Sequence, residues 1–113
     1  MSKTTCLARV LLGVALSLSG GACVSLDQAA PKPETLPAAM HQGTPSQLAL
    51  GRKLYVTKCA ACHSVEPVRK YSLHQWEHEI LPDMAEETNL DATETAAVRA
   101  YVLSVLKSPA VEG

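Results

Sequence analysis

Apolar and polar positions alternate with a helical rhythm in three stretches of this chain, and nowhere with the two-residue rhythm of a strand. The first stretch opens at Thr44-Pro45-Ser46-Gln47, which supplies a capping hydroxyl, proline at the first helical position and glutamine three residues after the cap. It predicts a helix to about Lys58, with Leu50, Gly51, Leu54 and Tyr55 on one face and Arg52, Lys53 and Val56 off it. The second opens at the capping box Ser72-Leu73-His74-Gln75 and is predicted to end before Pro82. Its apolar stripe is Leu73, Trp76 and Ile80, and Glu77 interrupts it. The third opens at Asp91-Ala92-Thr93-Glu94 and carries Val98, Tyr101, Val102 and Val105 at helical spacing, with Lys107 in the last turn and Pro109 beyond. The predicted fold class is all-α, with no internal repeat.

The residues ahead of these helices have a different character. Met1 to Ala22 places Lys3 and Arg9 before the apolar run Val10 to Leu18, and then Ser19, Gly20, Gly21 and Ala22 before Cys23. That is the layout of a bacterial export signal, and the run is far shorter than the roughly 20 residues of a membrane span. Residues 1–22 are therefore expected to be a signal peptide and the protein to work in the periplasm. Small residues directly before a cysteine resemble a lipoprotein processing site, although Gly20 stands where leucine is commonest. The resemblance implies acylation of Cys23 and a membrane anchor, and Val24 at the next position resembles lipoproteins sorted to the outer membrane. Residues 23–44 hold Pro31, Pro33 and Pro37 without a sustained apolar period, which predicts a flexible linker. The folded domain is expected over 45–108.

Composition narrows the function classes. With 47% hydrophobic and 19% charged residues, the chain suits one small globular domain and not a collagenous, coiled-coil or polybasic protein. A formal net charge of −1 gives no electrostatic reason to expect nucleic acid. Phe is absent and there is one Trp, so a core of about 91 mature residues calls for a staple or a cofactor. Cys6 falls in the signal and Cys23 at its end, leaving Cys59 and Cys62. A disulfide between cysteines three apart closes too small a loop to staple a fold.

Those two cysteines stand in Cys59-Ala60-Ala61-Cys62-His63, the C-x-x-C-H signature of covalent haem attachment. About one helical turn sets both thiols on one side, where each can add to a haem vinyl group while the adjacent imidazole reaches the iron. Two other chemistries fit a bare C-x-x-C. A thioredoxin-like redox pair needs a βαβ context, which is missing here. A zinc site needs a further ligand pair, which His74 and His78 can supply, but it leaves the position of His63 unexplained.

With Gly51-x-x-x-Tyr55 before the motif and Tyr101 in the closing helix, the chain over residues 46–107 resembles the small class I monohaem cytochromes c. The resemblance implies a cytochrome c-like helical domain in which the first and last helices cross at a glycine and aromatic contact, for which Gly51 and Tyr101 are placed. It also implies one covalent haem c with an exposed edge, tethered through Cys59 and Cys62 and held by His63 as the proximal iron ligand. Met84 stands only 21 positions after His63, a shorter span than in familiar members.

The sixth iron position has several candidates. In an electron carrier with His on one side, Met or His usually stands on the other, and Met raises the reduction potential. Met84 follows Leu81-Pro82-Asp83, a predicted helix exit, and is the leading candidate, with His78 second and His74 behind it. Met40 and His41 lie in the linker and rank last, because holding a ligand there would order a flexible segment. Trp76 is expected to pack on the porphyrin, with its indole N–H as a candidate propionate donor beside Arg69 and Tyr71.

No acid/base or nucleophile constellation accompanies the motif, so an electron carrier, alone or as a subunit of a larger redox complex, is expected rather than an enzyme. The alternative is a haem sensor or small peroxidase with an open or weakly held sixth position. Residues 51–70 sum to +4 and residues 71–113 to −6. This asymmetry suggests a basic haem-attachment side that meets an acidic patch on a redox partner.

Overall fold

The computed structural model describes residues 24–59 and 65–110, with the backbone alone at Cys59. All regular structure among these residues is helical, in agreement with the all-α expectation. Residues 1–22, expected to be a signal peptide, and Cys23, the expected acylation site, lie outside the described residues.

A short helix α1 (Leu26–Ala29) is opened by the reciprocal box of Ser25 and Gln28. Two 3₁₀ turns, Pro33–Thr35 and Ala38–Met40, then lead to α2 (Pro45–Leu54). The Thr44 hydroxyl accepts from the Gln47 N–H, as its cap sequence predicts. The helix does not continue regularly to Lys58: from Tyr55 to Cys59 it widens into a π turn. After the motif, a 3₁₀ turn at Val68–Lys70 precedes α3 (Leu73–Gln75), capped by the Ser72 and Gln75 box. The rod continues through a π segment at Trp76–Ile80 into α4 (Leu81–Glu87). The last helix, α5 (Ala92–Lys107), opens with the full Asp91 and Glu94 box.

Pro82 therefore does not end the middle helix, contrary to the sequence expectation. Proline has no N–H to donate and its ring meets the carbonyl four residues back in a regular helix. Here the ladder switches register just before it, with the Leu81 N–H donating to the Trp76 carbonyl five residues back, and Pro82 enters as the second residue of a new α segment. The helix ends instead where Asn89 takes φ 54°, a left-handed conformation that asparagine tolerates. The Leu90 N–H donates to the Ala85 carbonyl and the Asn89 N–H to the Glu86 carbonyl, which completes a Schellman stop.

The principal packing is α2 against α5. A Cβ placed on Gly51 would lie 2.1 Å from the Ala97 carbonyl oxygen and 2.7 Å from the Tyr101 Cβ, so only glycine allows the two helices to cross this closely. Leu48, Val98, Tyr101, Val102 and Val105 are fully buried around the crossing. Leu48 was not among the residues expected on the buried face, whereas Leu50, which was, is only half-buried. Leu73 is 43% exposed, so the middle stripe rests on Trp76 and Ile80 instead.

Residues 24–44 are packed along the helices and do not form a free linker. Ala30 and Leu36 are buried in the core. The buried Tyr101 hydroxyl donates to the Pro31 carbonyl at 2.8 Å, and Arg52 Nε donates to the Ala30 carbonyl at 2.9 Å. Further along, the Gln42 N–H donates to Ser104 Oγ at 2.8 Å. Prolines spaced through the segment suit this extended path, because the ties use its carbonyls and need few of its N–H groups. No helix of the described residues is long and apolar enough to cross a membrane.

Candidate functional site

The motif follows directly from the end of α2, and the structure fixes the chain on both of its flanks. Cys59 is the last residue of the π turn; Cys62 and His63 lie in 60–64, outside the described residues. On the near flank, Tyr55 opens the π turn with its ring buried. Its hydroxyl donates to the carbonyl of Glu66 on the far flank. One side chain thus ties the residue four before Cys59 to the residue three after His63. Two positions further on, the buried Val68 offers its carbonyl to the Trp76 indole N–H at 2.9 Å.

These two hydrogen bonds belong to one aromatic cluster that contains all four aromatic residues of the chain. Tyr55 meets Trp76 edge-on at 5.8 Å between ring centres and lies 6.2 Å from Tyr101. Tyr71 meets the other side of Trp76 edge-on at 5.9 Å. Edge-to-face contacts of this kind add about 0.5–1.5 kcal/mol each beyond area burial. The chain segments before and after the motif therefore share one aromatic cluster. Trp76 itself is 1% exposed and its N–H is already bonded to Val68, so it is not a propionate donor in this arrangement. Arg69 likewise donates to the Pro109 carbonyl at 3.1 Å.

The remaining candidates are distributed as follows. Met84 lies in α4, half-buried and packed against the core. His78 and His74 are exposed on the rod ahead of it, with ring centres 4.5 Å apart. His41 Nε2 lies 3.1 and 3.2 Å from the Pro33 and Leu36 carbonyls, so its ring serves as a donor that holds the 24–44 segment. Met40 is half-buried in the adjacent turn. Among the described residues no three His, Cys, Asp or Glu side chains converge as a metal-binding group.

The electrostatics differ from the sequence expectation of a basic side. Arg52 pairs with Asp27 at 3.0 Å, Lys58 with Glu94 at 3.8 Å, and Lys70 with Glu66. The Glu66 carboxylate holds the exposed Lys70 ammonium above its ordinary pKa. Glu77, the residue that interrupts the apolar stripe, reaches Arg99 on α5. Sequence reasoning missed the Tyr55 and Glu66 closure and the Val68 acceptor, because backbone carbonyls carry no residue signature. A tyrosine one turn ahead of Cys59 was the available hint.

Comparison of the chain with protein-family models, with curated proteins and with solved structures gave no match.

Proposed function

We propose that this protein is an exported electron carrier with one covalent c-type haem, built on a small cytochrome c-like helical domain. The observation that carries the reading is the pentapeptide Cys59 to His63 placed between flanks that Tyr55 and Glu66 tie together. Two features of the chain fit such a group. The donor set of two thiols and an imidazole within five residues matches haem attachment and ligation. Val56 before the motif, Val65 after it, and Ile80 and Met84 on the middle rod are apolar and packed on the core, yet only partly covered by protein. The crossing of α2 and α5 at Gly51 and Tyr101 supports the same reading.

In this reading Cys59 and Cys62 would hold the haem through thioethers, and His63 and Met84 would be the iron ligands, with His78 as the second choice for the place given to Met84. The group supplies a one-electron ferric/ferrous couple when bound. The chain's own task is to hold still while the charge changes. Tyr55 and Trp76 fix the two flanks of the attachment loop, and the Schellman stop at Asn89 fixes the end of the helix that carries Met84. The half-covered apolar side chains keep water from the site, which lets the ligands set the potential.

Acylation of Cys23 would place the protein on a membrane facing the periplasm. Because the residues after Val24 are bound to Tyr101, Arg52 and Ser104, such an anchor would hold the domain close to the lipid surface. The partners are then redox proteins that reach the same surface.

The test is the absorption spectrum of the matured full chain before and after acidified organic extraction, repeated on Met84→Ala and His78→Ala. The pigment should stay with the polypeptide. The ferric sulfur-to-iron charge-transfer band should vanish only in the Met84 variant. A colourless protein, or pigment lost on extraction, overturns the haem assignment. Rapid carbon monoxide binding to the unaltered reduced protein overturns the six-coordinate carrier in favour of a sensor or peroxidase.

A further inference from the structure

The molecule has four histidines, and with Met84 ranked first as the iron ligand to accompany His63, two of them are left without a role. His63 belongs to the attachment motif, and the His41 ring is engaged by two backbone carbonyls. His74 and His78 are both exposed, lie four residues apart on one helical rod, and face each other with ring centres 4.5 Å apart and planes tilted by 41°. Neither ring makes a hydrogen bond or an ion pair with the described residues. Unpartnered imidazoles held side by side are a preformed bidentate donor pair, because histidines at i and i+4 share a helix face and neutral imidazole is the commonest metal ligand in proteins.

The surroundings favour a cation. From residue 71 to residue 98 the chain has no Lys or Arg, while Glu77, Glu79, Asp83, Glu86, Glu87, Asp91 and Glu94 fall within it. Glu77 and Glu94 pair with Arg99 and Lys58; the other five carboxylates form no ion pair with the described residues. Their summed field raises the local concentration of divalent cations at the rod.

We propose that His74 and His78 chelate one divalent transition-metal ion of the zinc type on the exposed flank of the middle rod, with water completing its coordination. Imidazole donors suit Zn²⁺ and bind Cu²⁺ more tightly still, while they discriminate against Mg²⁺ and Ca²⁺. The site uses neither the motif nor Met84, so it is compatible with iron ligation by His63 and Met84 and excludes only the second choice, His78.

The experiment follows the ring-proton resonances of the histidines by NMR in the reduced full chain during titration with Zn²⁺. The His74 and His78 signals should move together and saturate at one ion per chain, while His41 stays still. In His74→Ala the His78 signal should require at least about tenfold more Zn²⁺, because the second bond of a chelate forms intramolecularly. Mg²⁺ at the same concentrations should move neither. The substitution is at an exposed position, and unchanged circular dichroism verifies the fold. Signals that move at different Zn²⁺ concentrations, or an unaltered His78 response in His74→Ala, overturn the chelate. The visible spectrum of the same samples reports the haem assignment separately, so failure of one claim is distinguishable from failure of the other.

Discussion

Tyr101 shows how much one side chain can connect. Its ring sits at the crossing of the two long helices and its hydroxyl donates to the Pro31 carbonyl, 70 residues away in sequence. Helical spacing made the buried ring legible, but not the hydroxyl's partner, which is a backbone oxygen in a segment without an apolar period. Removing the hydroxyl in Tyr101→Phe leaves that carbonyl without its donor, at a cost of about 1–3 kcal/mol in stability by urea unfolding. The same residue makes a pH prediction. Burial pushes the Tyr101 phenol well above its ordinary value of 10.0, with the nearby Arg52 opposing the shift only in part. Below about pH 10 the phenol is neutral in both states and its full contribution is present. Above that pH the unfolded chain releases the proton while the folded chain retains it, so stability falls as pH rises. The unaltered protein should lose more stability between pH 9 and pH 11 than Tyr101→Phe does; equal losses would count against a buried neutral phenol.

At the scale of elements, the caps and the apolar periods placed three helical regions correctly, because capping boxes and helical faces are local and each is written within a few residues. What stayed hidden depends on the ladder itself. The π segments at Tyr55–Cys59 and Trp76–Ile80 preserve helical continuity while changing its period, so a regular helical wheel misjudged Leu73, and the rule that a helix ends before proline misread Pro82. The 24–44 segment was illegible for another reason: it buries little beyond Ala29, Ala30, Pro31 and Leu36, and it is held largely through main-chain groups. In the candidate site the motif is written in the sequence itself, whereas the closure of its flanks by Tyr55 and Glu66 is not. The helix crossing offers the sharpest test at this scale. Glycine inside a helix ordinarily costs about 0.5–1 kcal/mol relative to alanine, so Gly51→Ala would stabilise an isolated α2. Here the added methyl meets the backbone of Ala97, which cannot turn aside as a flexible side chain could. Overpacking of about 1–3 kcal/mol or more should win, lowering the thermal midpoint and separating α2 from α5. A raised midpoint would mean that the helices do not cross this closely.

For the whole molecule, charge placement sets how partners meet it. Sequence sums suggested a basic end at residues 51–70, but three of its five cations are paired with carboxylates in the fold. Exposed pairs of this kind contribute only about 0–1 kcal/mol each to stability, yet each removes a positive charge from the distant field. The middle rod is compensated only at Glu77, leaving Glu79, Asp83, Glu86 and Glu87 on it without an ion pair among the described residues. The unpaired charges on the middle rod are acidic, so a partner that approaches over the rod would meet a negative field. If electrons enter and leave through the proposed haem, a cationic redox reagent should react faster at low ionic strength than an anionic reagent of matched potential. Its rate should fall as salt is added, while the anionic reagent's rate should rise, because added ions screen attraction and repulsion alike over roughly 10 Å at 0.1 M. Stopped-flow measurements with both reagents across a salt series check this. Charge reversal at Asp83→Lys and Glu87→Lys together should narrow the difference between them, since those substitutions change the field of α4 without touching the attachment loop. Rates that ignore salt would mean that the electron leaves from a face the rod does not influence.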